Sequence, residues 1–339
     1  MTEQDYRDAP GVSRSFLSEF DDNPRNVIEP RERVESDAFR IGSAFDAMMF
    51  QTPEEWNNRY FVSEHEPPTG MMGNMVKAYI KEVSTDILEN FTDEQKIERA
   101  FAESGYKDSY KKTALKQFEA FRDYAAEQVT HEGKDSLSLS EYDMLVRMQY
   151  NCLNNEVASK FFKSKSDKQD LLFQLPVFWE QSGTVCKALL DVVMIDHEAK
   201  KIYPVDLKTT SSSIYYFSAS FIKYKYYLQS SMYSAAIEDM FLNLTSEGYT
   251  IENFKFIVVS TTGRNDVLTY TVSDADMNAG HYGYTDIYGN YKRGWITLLE
   301  DLNWHYESDL WHYHREVYSN NMDMPLNCTS SWKQQLQLQ

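Results

Sequence analysis

Hydrophobic positions change their period about halfway along the chain. Between about residues 75 and 163, apolar residues recur three and four apart in "DEQKIERAFAESG", "KKTALKQFEAFRDYAAEQV" and "LSEYDMLVRMQYNCLNNEVASKFF", the spacing of amphipathic helices. "THEGKDSLSLS" separates the last two. Ahead of them, residues 10–25 predict a short helix capped by Ser13 or Ser15 and followed by Pro24. Residues 38–50 predict an apolar helix, and 66–75, rich in Pro and Gly, a loop. Beyond residue 168 the runs shorten and fill with β-branched and aromatic residues, predicting strands over 169–180, 184–196 and 201–210. A helix is predicted over about 218–240, a strand pair over 254–262 and 266–273 joined by "GRN", and a last helix over about 293–317. The pattern reads as one α/β (α+β) domain over 1–325. It has a helical N-terminal half with a helical segment at about 75–163, a β core at about 169–273 and the closing helix. The tail, 326–339, has little to bury and reads as disordered.

Composition narrows the class. In 339 residues, 42% apolar and 25% charged content is ordinary for a globular protein. No apolar run approaches the roughly 20 residues of a membrane span. The opening "MTEQDYRDAPG" has no signal-peptide core, so a cytoplasmic protein is expected. Cys152, Cys186 and Cys328 stand far apart and form no CxxC pair, which leaves zinc, disulfide and iron–sulfur frameworks without support. No Gly-rich phosphate loop, GxSxG or HExxH occurs, which removes support for ATPase, serine hydrolase and zincin chemistry. A net charge of −18 argues against general adhesion to DNA, because that affinity comes from basic contacts to phosphate.

The candidate chemistry lies in the β core. "HEAK" (197–200) connects two predicted strands, and if Asp196 opposes Lys201, Asp191 faces Asp206. Like charges directly opposite destabilise a sheet, and a divalent cation between them makes the pairing tolerable. Lys208, two residues past Asp206, shares its face. Oxygen ligands of this kind suit Mg²⁺ or Mn²⁺, which lowers the pKa of a bound water and neutralises phosphate charge. At this point two readings stand: a metal-dependent phosphodiesterase site, or a plain hairpin with solvent-facing Asp191 and Asp206. A one-residue slip in register would remove the opposition.

Asp191 followed by Asp206-Leu207-Lys208 is also the D…DxK form of the PD-(D/E)xK nuclease motif. "VSRSFLSEFDDNP" (12–24) resembles the opening of phage and prophage exonucleases of the RecE-like (exodeoxyribonuclease VIII) and RecB-like group. "IGSAFDAMMFQTPEEWNNRYFV" (41–62) is similar to their first motif, "QSSMY" (Gln229 to Tyr233) to their QxxxY motif, and "VVSTTGRNDVLTYTVSDADMNAG" to the strands and helix that follow. The resemblance covers roughly residues 10–315. It implies a restriction-endonuclease-like core, a central mixed sheet flanked by helices, and a deoxyribonuclease dependent on Mg²⁺ or Mn²⁺. By the same resemblance Asp191, Asp206 and the Leu207 carbonyl bind the metal, and Lys208 positions or activates the attacking water. Gln229 and Tyr233, one helical turn apart, contact DNA or steady the site. Asp46 stands where relatives usually carry a histidine ligand and is a further metal candidate. Glu180, on the preceding strand, is a candidate additional acid, though an exposed surface glutamate is the simpler reading. The resemblance further implies 5′→3′ resection of duplex DNA ends for recombination in a bacterial or phage-infected cell. It also implies a homo-oligomeric ring and a single-strand annealing protein as partner.

One physical feature supports a DNA substrate independently. Residues 207–237 contain no acid in an acid-rich chain, and hold Lys208, Lys223, Lys225 and the tyrosines 215, 216, 224, 226, 227 and 233. Lys223 and Lys225 are candidate phosphate contacts, and tyrosines can stack on unpaired bases. For most of these tyrosines the simpler expectation is a core helix. Lys160, Lys163, Lys165 and Lys168 form a second basic cluster that reads slightly better as a solvated linker, with Arg264 and Lys292-Arg293 weaker. His305 and His312, seven apart, fall near one face of the predicted last helix, where packing is favoured over metal binding. The competing functions are an endonuclease or single-strand-specific nuclease with the same site, and a non-catalytic DNA-end or partner-binding module.

Overall fold

The computed structural model describes residues 1, 3–30, 36–86, 90–164, 166–287 and 289–324. The tail predicted over 326–339 and Lys165 lie outside the described residues. The chain divides into two compact units, Ser36–Gln149, and Met1–Glu35 with Tyr150–Gln339. The helical segment read over 75–163 is thus shared between them.

In the unit Ser36–Gln149, the helix Asp37–Phe50 starts where the Ser36 side chain accepts the Phe39 N–H. Thr52 and Glu55 form a reciprocal cap at the start of Pro53–Arg59. Helices Gly70–Thr85, Asp93–Glu103, Lys111–Phe118 and Arg122–Thr130 enclose a core that includes Met72, Met75, Phe101 and Phe118. The loop expected over 66–75 ends early. Met72, Met75 and Val76 share a face whose burial outweighs the cost of two glycines, and the helix begins at Gly70. The break at 130–140 contains the short strand Asp135–Ser138, parallel to Tyr60–Ser63, with Leu137 fully buried.

The other unit is built on a mixed sheet flanked by helices. Its main path runs β1 (Gln169–Gln181), β2 (Thr184–Asp196), β3 (Lys201–Thr210), β4 (Lys255–Ser260) and β5 (Val267–Thr271), in that spatial order. The pair β3–β4 is parallel and the others are antiparallel. Ser182 and Gly183, with φ of 51° and 77°, make the two-residue β1–β2 turn, whose left-handed conformation matches strand twist. Helices α1 (Arg14–Asp22), α2 (Tyr226–Met240), α3 (Asp274–Tyr282) and α4 (Trp295–Ser308) complete the unit. Ser13 caps α1 by accepting the Phe16 N–H. Leu17 and Phe20 of α1, Leu228 and Met232 of α2, and Trp295 and Leu302 of α4 bury against Trp179, Ala188, Leu190 and Val193.

Two predicted helices are interrupted. Lys225, at φ 54°, separates Phe217–Lys223 from α2 within the run expected over 218–240. The helix expected over 293–317 ends at Ser308, because Asp309 turns left-handed at φ 55° and returns its N–H to the His305 carbonyl. A second short helix, Arg315–Ser319, follows. His312 therefore lies outside α4, and the shared helix face with His305 does not form. His305 is fully buried, packed against Phe20 and Trp311. Among the described residues no helix is long and apolar enough to cross a membrane.

Candidate active site

The sheet forks where the carboxylates sit. The ladder between β2 and β3 runs from Asp196–Lys201 to Val192–Val205 and stops there. Strand β3 continues alone along β4, from Val205–Lys255 to Thr210–Ser260. The next residues on the two sides of the fork are Asp191 and Asp206. Inside the opening, the Leu207 N–H donates to Asp191 Oδ2 at 2.8 Å. The N–H and C=O of an extended residue leave at the same strand edge, so the Leu207 carbonyl faces the fork as well.

A distortion of β1 and β2 turns Asp191 toward this edge. Partners Phe173–Val192 and Leu175–Leu190 flank Gln174 and Asp191, and Gln174 is left-handed at φ 47°. The alternation of core-facing residues slips there on both strands. On β2 it passes from Cys186, Ala188 and Leu190 to Val193 and Ile195; on β1 it passes from Val177 and Leu175 to Leu172. A regular pleat would aim Asp191 along the sheet normal. With the slip, its carboxylate reaches a backbone N–H in the plane of the sheet. Its other oxygen, Oδ1, accepts from Gln174 Nε2 at 3.3 Å.

Asp206 is 2% exposed and carries the centre of the cluster. Gln229 Nε2, from α2, donates to its Oδ1 at 2.5 Å. Its Oδ2 has no directed hydrogen bond from a described residue, and the Lys208 ammonium lies 2.5 Å away as an ion pair. The same ammonium lies 5.3 Å from the Tyr226 ring centroid. Burial first, then the Asp206 charge, push the Asp191 carboxyl up to about 7, against Lys208, the Leu207 N–H and Gln174. Burial pulls the Lys208 ammonium down, but Asp206 and Asp191 outweigh it and hold its pKa above the ordinary value. Burial and then Asp206 push the half-buried Tyr233 hydroxyl up to about 12, which places that ring within the field of the cluster.

The fold thus gathers Asp191, Asp206, Leu207, Lys208 and Gln229, with Tyr233 beside them. It does not bring Glu180 there: Glu180 is exposed and pairs with Val185, six residues along β2 from Asp191, a distance of about 20 Å. Asp46 is half-buried on the helix Asp37–Phe50 of the other unit. Lys225 is committed to Asp21 at 2.5 Å and Asp22 at 2.8 Å, tying the start of α2 to the end of α1. Lys223 is exposed, its ammonium 5.0 Å from the Tyr224 ring centroid. Among the described residues no three His, Cys, Asp or Glu side chains gather into a metal cluster.

Three neighbours of the site were not foreseen in the sequence. Gln174 had a usable signal, since a tight turn at Ser182-Gly183 sets it opposite Asp191. Tyr226 had none beyond its place in the acid-free run. Arg14 opens α1, where the helix dipole disfavours a cation, and such a residue needs another purpose. Its guanidinium lies 5.5 Å from the Tyr226 ring centroid and donates to the Tyr224 carbonyl at 2.7 Å, while its buried Nε has no hydrogen-bond partner among the described residues.

No protein-family model matches this chain, and no curated protein matches it. A crystal structure of a proposed exonuclease from Eubacterium rectale is similar over 97% of this chain and 90% of that one. The TM-score is 0.43 and the identity 11%. A likeness of that depth carries no argument about activity.

Proposed function

We propose that the unit carrying the forked sheet is a metal-dependent deoxyribonuclease of the PD-(D/E)xK type. The observation that carries the reading is the convergence of Asp191, the buried Asp206 and the Lys208 ammonium at an opening in the sheet. A structural hairpin has no need of two acids at a fork, one of them raised in pKa by burial and then by the other's charge. The donor set fits a hard cation: two carboxylates and the Leu207 carbonyl face one opening, where the Lys208 ammonium is paired with Asp206 Oδ2. Mg²⁺ typically takes one or two carboxylates and completes its shell with water and substrate phosphate. Bound there, it would supply Lewis-acid charge to phosphate oxygens and lower the pKa of a water.

The chain's own residues do the rest. Asp191 and Asp206 would hold that cation. Gln229 and Gln174 hold the two carboxylates in place. The Lys208 ammonium orients the attacking water and offsets charge that develops on the phosphate. The sequence resemblance extends the proposal to 5′→3′ resection of duplex ends by an oligomer that hands the strand to an annealing protein.

The test is hydrolysis of linear duplex DNA with Mg²⁺ by the wild type and by Lys208→Ala. Nucleotide release by the wild type is expected, slowed at least about a hundredfold in the variant, the scale of losing one electrostatic group. Equal rates remove Lys208 from the mechanism. End-labelled linear DNA beside closed circles separates exonuclease from endonuclease.

A further inference from the structure

The fold sorts the six tyrosines of the acid-free run into two sets. Tyr227 is buried, and Tyr226 and Tyr233 are half-buried against the core. Tyr215, Tyr216 and Tyr224 are 73%, 72% and 50% exposed, with Ile222 exposed beside them in the chain. Single exposed apolar residues are ordinary, and a concentration of them in one short segment is not.

These rings are presented by a fixed backbone. Ile214 and Phe217, on either side of Tyr215 and Tyr216, are buried in one apolar cluster. The Tyr270 hydroxyl donates to the Ile214 carbonyl at 2.5 Å. Ring contacts also lead inward to the carboxylates. Tyr224 lies 5.7 Å from Tyr226, and Tyr226 stacks on Phe217 at 5.7 Å and under the Lys208 ammonium. The segment itself holds no acid that would repel a polyanion, in a chain of net charge −18, and its exposed Lys223 stands against Tyr224.

We propose that Tyr215, Tyr216 and Tyr224 form a stacking platform for the unpaired bases of a DNA strand whose backbone leads to Asp191, Asp206 and Lys208. The inference rests on the phosphodiesterase reading and deepens it by naming the substrate as a single-stranded or frayed end. Exposed rings on a rigid segment offer base faces a partner at small entropic cost. A closed duplex keeps its base faces stacked and has nothing to offer the platform.

The experiment is fluorescence anisotropy in EDTA, where hydrolysis does not interfere. Labelled oligothymidine of about 12 nucleotides is compared with a blunt hairpin duplex. The proteins are the wild type, Tyr215→Ala/Tyr216→Ala, Tyr224→Ala, and the corresponding phenylalanine variants. Each alanine variant is expected to weaken oligothymidine binding about tenfold or more, and each phenylalanine variant to stay within about threefold. Binding of the blunt hairpin should be unchanged. No oligothymidine binding by the wild type, no effect of alanine, or an equal loss on both probes overturns the platform. Because no cleavage is measured, the outcome is independent of the Lys208→Ala assay: tyrosine-dependent binding by a chain that hydrolyses nothing sinks the enzyme reading alone.

Discussion

Asp191 is a residue whose fold and proposed function pull in opposite directions. Its carboxylate is desolvated and faces a second, nearly fully buried carboxylate, so the folded chain disfavours the charge. A structural acid would be retained because it stabilises. A functional one is retained at a cost in stability. Asp191→Asn keeps an amide oxygen for the Leu207 N–H and removes the charge. We expect it to raise unfolding free energy by about 1–3 kcal/mol in EDTA at neutral pH, measured by urea denaturation, while DNA hydrolysis is lost. A variant less stable than the wild type would mark Asp191 as a structural acid. The pairing of these strands was legible at this scale because "HEAK" is short and Asp196 and Lys201 punctuate it; the pair Asp196–Lys201 is observed. What was not legible is why Asp191 reaches across the fork. That depends on the slipped pleat at Gln174, and a left-handed glutamine inside a strand leaves no mark in composition.

The site needs α2 at a fixed height over the sheet, because Gln229 is its contribution. That height is set partly by Gly280 of α3. A Cβ there would lie 2.0 Å from the Tyr227 carbonyl oxygen and 2.7 Å from Ser231 Cβ, on the turn of α2 that bears Gln229. Gly280→Ala must separate the helices. The expected cost is about 1–3 kcal/mol by overpacking, read as a lower thermal midpoint. Activity should fall as well, since the Gln229–Asp206 bond moves with the helix. An unchanged midpoint would show that the helices do not meet at this glycine. Strands at this scale were legible almost to their ends, since β-branched runs and short polar turns bound them. Helix ends were not. Lys225 and Asp309 stop helices by adopting left-handed conformations that glycine or asparagine would have announced. The helix from Gly70 was hidden for the opposite reason, glycines standing where burial of methionines decides the outcome. The division at Gln149–Tyr150 falls inside a run that reads as continuous helix, where composition does not change.

At the scale of the whole molecule, an acidic protein proposed to act on a polyanion must confine attraction to a small surface. The net charge of −18 repels DNA at distances of a Debye length, about 30 Å at 0.01 M salt and 10 Å at 0.1 M. Local contacts have to work against that field. The acid-free run offers few cations: Lys225 is held by Asp21 and Asp22 and Lys208 by Asp206, which leaves Lys223 as the cation of the run exposed to meet phosphate. Each phosphate contact to a single strand contributes about −0.7 to the slope of log K against log salt, so one or two contacts give about −0.7 to −1.4. Screening of the long-range repulsion acts in the other direction and flattens the slope further. We therefore expect oligothymidine affinity, measured by anisotropy in EDTA across a salt series, to fall with a slope shallower than about −2, and to level off or reverse at the lowest salt. Stacking on Tyr215, Tyr216 and Tyr224 carries no counterion release, so most of the affinity should survive added salt. A slope steeper than about −4 would mean that many more basic groups meet the strand than this segment holds. In that case DNA would lie on another surface, and the acid-free run would be simply the wall of a folded core.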